Sequence, residues 1–299
     1  MSKALKIAII IAIVLVVFGV IVVGISSVML GFDFTALNDQ VSVTNSVELD
    51  ESFDNFNIDL ETADLHFLPS DDGVCRIDFL ETDKIKHVAR VENGTLIIEV
   101  ENNKDWYDNI GFYINEISAR VYLPKNEYGL LSVETDTGDI NIPADFSFLR
   151  AEISTDTGDS VFLAKTAEAL SFESDTGDIR VEGVSPKDLM IETDTGDIRI
   201  EGVSPRSLSV ETDTGDLLMK DTIINGKLSI GTDTGDIKFD GIDAESIEIK
   251  TATGDVSGTL LSDKTFFAES DTGVVDVPNT SGGKCEIVSN TGDIEISIK

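Results

Sequence analysis

Leu189-Met190-Ile191-Glu192-Thr193-Asp194-Thr195-Gly196-Asp197-Ile198-Arg199-Ile200 decides the fold of this chain. Apolar residues alternate with polar ones on both sides of Thr-Gly-Asp, at Leu189 and Ile191 and again at Ile198 and Ile200. Period-two alternation of this kind marks a strand, and a Gly between two such runs supplies a turn at positive φ. The unit is strand, turn, strand. Glu201-Gly202-Val203-Ser204-Pro205 then reads as a breaker that returns the chain to the next copy.

The turn glycine recurs at Gly138, Gly158, Gly177, Gly196, Gly215, Gly235, Gly254, Gly273 and Gly292, with spacings of 20, 19, 19, 19, 20, 19, 19 and 19 residues. Aligned on it, mostly apolar columns run from Leu131 to Cys285, Val133 to Ile287, Ile140 to Ile294 and Ile142 to Ile296. Such a period marks a solenoid, propeller or array, but it is too short for a propeller blade of about 40 to 45 residues and carries no helical pattern. The expected fold is all-β, a parallel β-solenoid of about nine 19–20-residue coils over 131–299, preceded by an N-terminal β cap over 51–130. Within the cap, Phe56 to Leu65 reads as a degenerate first coil, and Asn93-Gly94 as a hairpin turn. Ile296-Ser297-Ile298-Lys299 ends the sequence and reads as an open edge, a possible route to self-association.

Residues 7–32 contain no charged side chain, and about 20 apolar residues suffice for a helix to cross a bilayer. The expected organisation is a cytoplasmic tail at 1–6, a transmembrane signal-anchor helix at 7–30 and a juxtamembrane linker at 31–50. A cleaved signal peptide is the alternative, although its apolar region runs to only about 7 to 15 residues. Lys3 and Lys6 precede the span, whereas Asp33, Asp39, Glu48 and Asp50 follow it. Positive flanks stay cytoplasmic, so the C-terminal part is expected outside the cell membrane.

With 56 acidic and 22 basic residues the formal net charge is −34. Such a chain repels nucleic acid and anionic lipid, and its partners should be cationic or joined through cations; a blander reading is that the charge keeps an extended β protein soluble. Cys75 and Cys285 lie far apart and do not form a disulfide framework; Cys285 falls in a core column and reads as a small buried hydrophobe.

Asp-Thr-Gly occurs at Asp136, Asp156, Asp175, Asp194, Asp213, Asp233 and Asp271. The triplet also marks aspartic proteases, but a catalytic dyad needs two loops facing across a cleft, and a motif repeated every coil makes a single file. A second aspartate follows the Gly, at Asp139, Asp159, Asp178, Asp197, Asp216, Asp236, Asp255 and Asp293. Oxygen-only ligands suit Ca²⁺, so Asp136, Asp139, Asp156, Asp159, Asp175, Asp178, Asp194, Asp197, Asp213, Asp216, Asp233 and Asp236 are the metal candidates, and weak Ca²⁺ binding is the one cofactor expectation. Against it stands turn chemistry, in which the first Asp makes an Asx-turn and the Thr columns hydrogen-bond up the stack. Ala252 and Asn290 replace the first Asp, and Val274 the second.

His66 and His87 form no metal-binding pair, and Trp106, Tyr107, Phe112 and Tyr113 read as cap core. There is no phosphate-cradling Gly-Lys-Ser/Thr loop, Cys-x-x-Cys pair or nucleophile elbow. The expectation is a non-enzyme with no catalytic residues.

Repetition of Leu208-Ser209-Val210-Glu211-Thr212-Asp213-Thr214-Gly215-Asp216 behind one N-terminal membrane segment resembles the putative adhesin family of bacterial β-solenoid domains of unknown function, over about residues 51–299. The resemblance implies a domain of the bacterial cell envelope, often in envelope-stress systems, with no catalytic residue to carry over. Three roles follow as expectations. The first is a membrane-anchored surface protein binding another surface protein, a wall polymer or a cationic molecule; the second is a stress accessory protein that senses or sequesters cationic molecules; the third is a structural spacer or self-assembling rod.

Overall fold

The computed structural model describes residues 42–82, 85–101 and 117–299, and every regular element among them is a β-strand. The tail at 1–6, the anchor at 7–30, most of the 31–50 linker and the Trp106–Tyr113 aromatic cluster lie outside the described residues. Among the described residues no helix is long and apolar enough to cross a membrane.

All nine expected coils form, each named here by its turn glycine. In the Gly196 coil, Asp188–Thr195 runs into the turn and Ile198–Glu201 leaves it. Both strands pair in parallel and in register with the coils on either side: Leu189 matches Leu170 and Leu208, and Ile198 matches Ile179 and Leu217. Like residues therefore stack at about 4.8 Å, and the alternation read from the sequence becomes continuous internal columns. Leu189, Ile191, Ile198 and Ile200 are all buried. Clearing such side chains from water at about 25 cal/mol per Å² is what holds the rungs together, because no single coil has an interior of its own.

A third side closes each coil. Gly183-Val184-Ser185-Pro186 and Gly202-Val203-Ser204-Pro205 do more than return the chain, because Val184, Pro186, Val203 and Pro205 point inward and are buried. Coil-to-coil hydrogen bonds continue along this side, from the Ser204 N–H to the Val184 carbonyl at 3.0 Å and from the Asn225 N–H to the Pro205 carbonyl at 2.9 Å.

The order of coils departs from the order of the sequence at both ends. Gly283–Thr291 of the Gly292 coil pairs with Ser246–Thr253 on one side and with Lys264–Thr272 on the other. Ile294–Ile298 likewise lies between Val256–Leu260 and Val275–Asp276. The Gly292 coil is thus inserted between the Gly254 and Gly273 coils, and the Gly273 coil is the end rung. Of the segment expected at the open edge, Ile296, Ser297 and Ile298 pair only with Gly258, Thr259 and Leu260, while Ile294 and Glu295 just before them are paired on both sides. The physical reason lies in composition: Cys285, Ile287, Ile294 and Ile296 supply a full set of buried side chains, whereas the Gly273 coil sets the small Ala268 opposite Ile287 and the shorter Val275 opposite Ile294. Gly282 and Gly283 admit the inserted coil, since a Cβ on them would lie 1.9 Å from the Asp263 carbonyl oxygen and 2.4 Å from that of Glu245.

Beside this entry point Lys264 is buried, and its Nζ donates to Asp243 Oδ1 at 2.6 Å, the Ala244 carbonyl at 2.7 Å and Ser262 Oγ at 2.7 Å. Burial alone would raise the Asp243 carboxyl, but the bonds from Lys264 and Ser262 outweigh it and hold the group below its ordinary value.

The cap end mirrors this arrangement. The degenerate coil at Ala63, built from Asn55–Thr62 and Asp64–Pro69, stacks directly on the Gly138 coil, while Thr95–Val100 and Ser118–Leu123 pair on its other side. Antiparallel strands finish this end, His87–Glu92 on one sheet, and Cys75–Glu81 followed by Val43–Leu49 on the other. Phe56, Phe67, Phe146 and Phe148 fill the junction with edge-on ring contacts between 5.8 and 6.3 Å. Cys75 and Cys285 are both buried free thiols, pushed up to about 12 by burial.

Candidate functional site

The turn ladder is built on the absence of side chains. Gly215 has φ +145°, and a Cβ on it would stand 2.0 Å from the Gly196 carbonyl oxygen. The same contact, between 1.9 and 2.2 Å, recurs from Gly138 to Gly254, so the turns of adjacent coils touch backbone to backbone.

Nested turns bring the second aspartates into a chain of hydrogen bonds. The Asp139 N–H donates to Asp64 Oδ1 at 2.9 Å, and each later turn repeats the bond: Asp159 to Asp139, Asp178 to Asp159, Asp197 to Asp178, Asp216 to Asp197, Asp236 to Asp216 and Asp255 to Asp236, all between 2.8 and 3.0 Å. The Asp293 N–H then donates to Asp255 at 2.8 Å, and the Val274 N–H to Asp293 at 2.7 Å. Each carboxylate serves the turn of the next rung. Val274 occupies the end rung, with no further N–H to serve, which accounts for its missing carboxylate.

This arrangement corrects the expected turn chemistry. The bonds come from the second aspartate, and they run to the next coil instead of the residue's own turn. Nor do the Thr columns bond up the stack, because the hydroxyls of Thr135, Thr155, Ser174, Thr193, Thr212, Thr232, Thr251 and Ser289 are buried without a hydrogen-bond partner. Rungs about 4.8 Å apart hold identical side chains too far apart for a hydroxyl–hydroxyl bond of about 2.8 Å. At the end rung the Ser270 hydroxyl does find a partner, donating to the Gly292 carbonyl at 2.8 Å.

The first-column residues Asp136, Asp156, Asp175, Asp194, Asp213 and Asp233 are exposed in single file. The next rungs are Ala252 and then Asn290, so coil insertion makes the two neutral replacements neighbours. Among the described residues no three His, Cys, Asp or Glu side chains converge as a metal site. Substitution separates structural from ionic roles in the second column. Asp178→Asn keeps an acceptor for the Asp197 N–H and should leave stability within about 0.5 kcal/mol of the parent, while Asp178→Ala should cost about 1 kcal/mol in urea unfolding.

The Gly177, Gly196 and Gly215 coils present Glu173, Asp175, Asp178, Glu192, Asp194, Asp197, Glu211, Asp213 and Asp216, all exposed. Glu173, Glu192 and Glu211 are direct register neighbours. None of these carboxylates has a basic partner among the described residues. Beyond the turn the charges neutralise one another: Arg180 pairs with Glu182 at 2.6 Å, Arg199 with Glu201 at 2.8 Å and Lys220 with Glu201 at 3.1 Å. Toward the end rung Glu248 is held between Lys227 and Lys250 at 2.7 Å each and drawn down to about 2 by those two bonds. An unneutralised acidic face therefore covers the middle of the stack, and repulsion between neighbouring carboxylates, about 1 kcal/mol per pair in water before screening, is left for solvent ions to offset.

His66 and His87 are strand residues, His66 half-buried and His87 buried and stacked on Phe79 at 5.3 Å.

A family model described as Toastrack DUF4097 matches residues 53–297. The chain belongs to the Toastrack DUF4097 family. No curated protein matches the Toastrack chain. Among solved structures it is similar to a putative adhesin from Bacteroides fragilis NCTC 9343, at 13% identity over 86% of this chain and 97% of that one, with a TM-score of 0.46. A putative lipid binding protein from Parabacteroides distasonis ATCC 8503 is similar at 15% identity over 85% and 97%, with a TM-score of 0.43. A putative adhesin from the same organism is similar at 11% identity over 87% and 98%, with a TM-score of 0.45. At these scores the likenesses carry no argument about what the Toastrack chain binds.

Proposed function

We propose that this chain is a non-enzymatic surface protein of the cell envelope, anchored through residues 7–30, whose extracytoplasmic solenoid binds a cationic partner along its acidic face. One observation carries the reading: on three adjacent coils the carboxylates of Glu173, Glu192, Glu211 and the two aspartate columns stand exposed without basic partners among the described residues, while beyond the turn Arg180 pairs with Glu182 and Arg199 with Glu201. A rigid array of like charge at a spacing of about 4.8 Å attracts a polycation at long range and releases its counterions on contact.

The test is titration of a fluorescent decalysine peptide against the detergent-solubilised full chain. Affinity should fall at least tenfold between 50 and 200 mM salt, and the triple substitution Glu173→Gln, Glu192→Gln, Glu211→Gln should weaken binding about tenfold at low salt. Binding unaffected by both changes sinks the proposal.

Calcium is expected to act only as a screening ion. The second-column aspartates already accept backbone N–H bonds, and no three acidic groups converge among the described residues. Adding Ca²⁺ at constant ionic strength should therefore give no saturable rise in melting temperature; a saturable shift below millimolar concentration would establish the ladders as metal sites.

A further inference from the structure

The end rung leaves a strand open. Lys264–Thr272 pairs with Gly283–Thr291 on one side, and no strand among the described residues pairs with the other. The same holds for Val275–Asp276 beyond the turn. Residues in core register here are uncovered: Phe266 and Ala268 are only half-buried and Val275 is 39% exposed, whereas their register partners Cys285, Ile287 and Ile294 are completely buried. Outward on the same rung stand Phe267 at 57% and Val274 at 68%, with Glu269 and Asp271 exposed beside them. The opposite end of the stack is closed by antiparallel strands, so the two ends are built differently.

We infer that this edge captures an extended cationic, amphipathic peptide as an added β-strand. Backbone groups on the open side of Lys264–Thr272 supply the hydrogen bonds. The peptide's inward side chains cover Phe266 and Ala268, and its outward side chains lie over Phe267, Glu269 and Asp271, about one strand spacing away. Opposite charges directly across a strand pair are favourable and like charges unfavourable. That rule selects Lys or Arg opposite Glu269 and Asp271 and excludes acidic strands. Lys264 adds no positive charge to the edge, because it is buried on Asp243.

The same rule disfavours a second copy of this chain. Two copies meeting through this one open side, core faces aligned, would pair antiparallel and crowd Glu269 and Asp271 of both chains onto one outer face. A further coil stacked in parallel would also need a carboxylate where Val274 stands, to receive its turn N–H. The proposal goes beyond the binding of polycations on the acidic face, since it places a different ligand conformation on different residues.

The experiment uses the detergent-solubilised full chain and a fluorescent eight-residue peptide of alternating valine and lysine, at 150 mM salt. Controls are the same composition with valines and lysines in blocks, and the alternating peptide N-methylated at every second residue. The alternating peptide is expected to bind at least tenfold more tightly than both controls, and Glu269→Lys with Asp271→Lys to remove about tenfold of that affinity. Glu173→Gln with Glu192→Gln should leave this preference unchanged even if decalysine binding falls, which separates failure at the edge from failure on the face. Equal binding of the N-methylated and unmodified peptides would overturn strand addition. Concentration-dependent dimerisation of the peptide-free chain, abolished by the same Glu269 and Asp271 substitutions, would assign the edge to a second copy and also overturn it.

Discussion

Gly215→Ala should destabilise the solenoid by about 4 kcal/mol. The substitution places a Cβ 2.0 Å from the Gly196 carbonyl oxygen at φ +145°. Backbone strain at such a φ costs about 1 to 3 kcal/mol, and displacing packed backbone costs a similar amount. The turn has little means of relaxing, because the Gly215 N–H donates to Thr234 at 3.0 Å while that of Gly196 donates to Thr214 at 2.9 Å. Gly183 provides the control. Its φ is +67°, but a Cβ there meets nothing within 4 Å, so Gly183→Ala should cost about 1 kcal/mol from the left-handed conformation alone. Urea unfolding measures both, and equal losses would mean that nested turns are not what requires glycine in the column.

Ile287→Ala tests the order of the coils. With the Gly292 coil inserted, Ile287 lies between Ile249 and Ala268 and is fully buried. Truncating such a side chain costs about 2 to 5 kcal/mol. Phe267→Ala removes a larger side chain that is 57% exposed on the end rung and should cost less than about 1 kcal/mol. Were the coils stacked in sequence order, residue 287 would lie on the end rung and the penalty for its truncation would fall. A small loss at Ile287 therefore contradicts the inserted arrangement.

The two sheets were legible in the sequence because their alternation has the period of a strand and the turn repeats with it. Leu189, Ile191, Ile198 and Ile200 were placed inside by that period alone, and all four are buried. The third side was hidden by its chemistry. Gly-Val-Ser-Pro has the composition of a breaker, yet its Val and Pro face inward because a closed coil needs a third wall.

Coil order was not readable from spacing, since the steps from Gly254 to Gly273 and from Gly273 to Gly292 are both 19 residues. Three residues did carry the signal. Val274 lacks the carboxylate that only an end rung can spare, and Gly282-Gly283 removes side chains where a strand must pass between two carbonyls. Of the candidate site, the aspartate columns were placed correctly as ladders. Their division of labour was not, because which of two aspartates reaches the next turn depends on how closely glycine lets the turns approach. The aromatic cluster at Trp106, Tyr107, Phe112 and Tyr113 lies outside the described residues.

Insertion of the Gly292 coil sets a condition on synthesis. Residues 264–276 leave the ribosome before residues 283–298, but their native seat exists only after the later segment has docked on the Gly254 coil. Until then the earlier segment either waits in solvent or occupies the seat of its successor and must vacate it. A nascent chain interrupted before residue 283 therefore carries a displaced or undocked coil, and with the coil undocked Ile249 and Val256 of the Gly254 coil, fully buried in the finished protein, are bare on one side for any protease that surveys new chains.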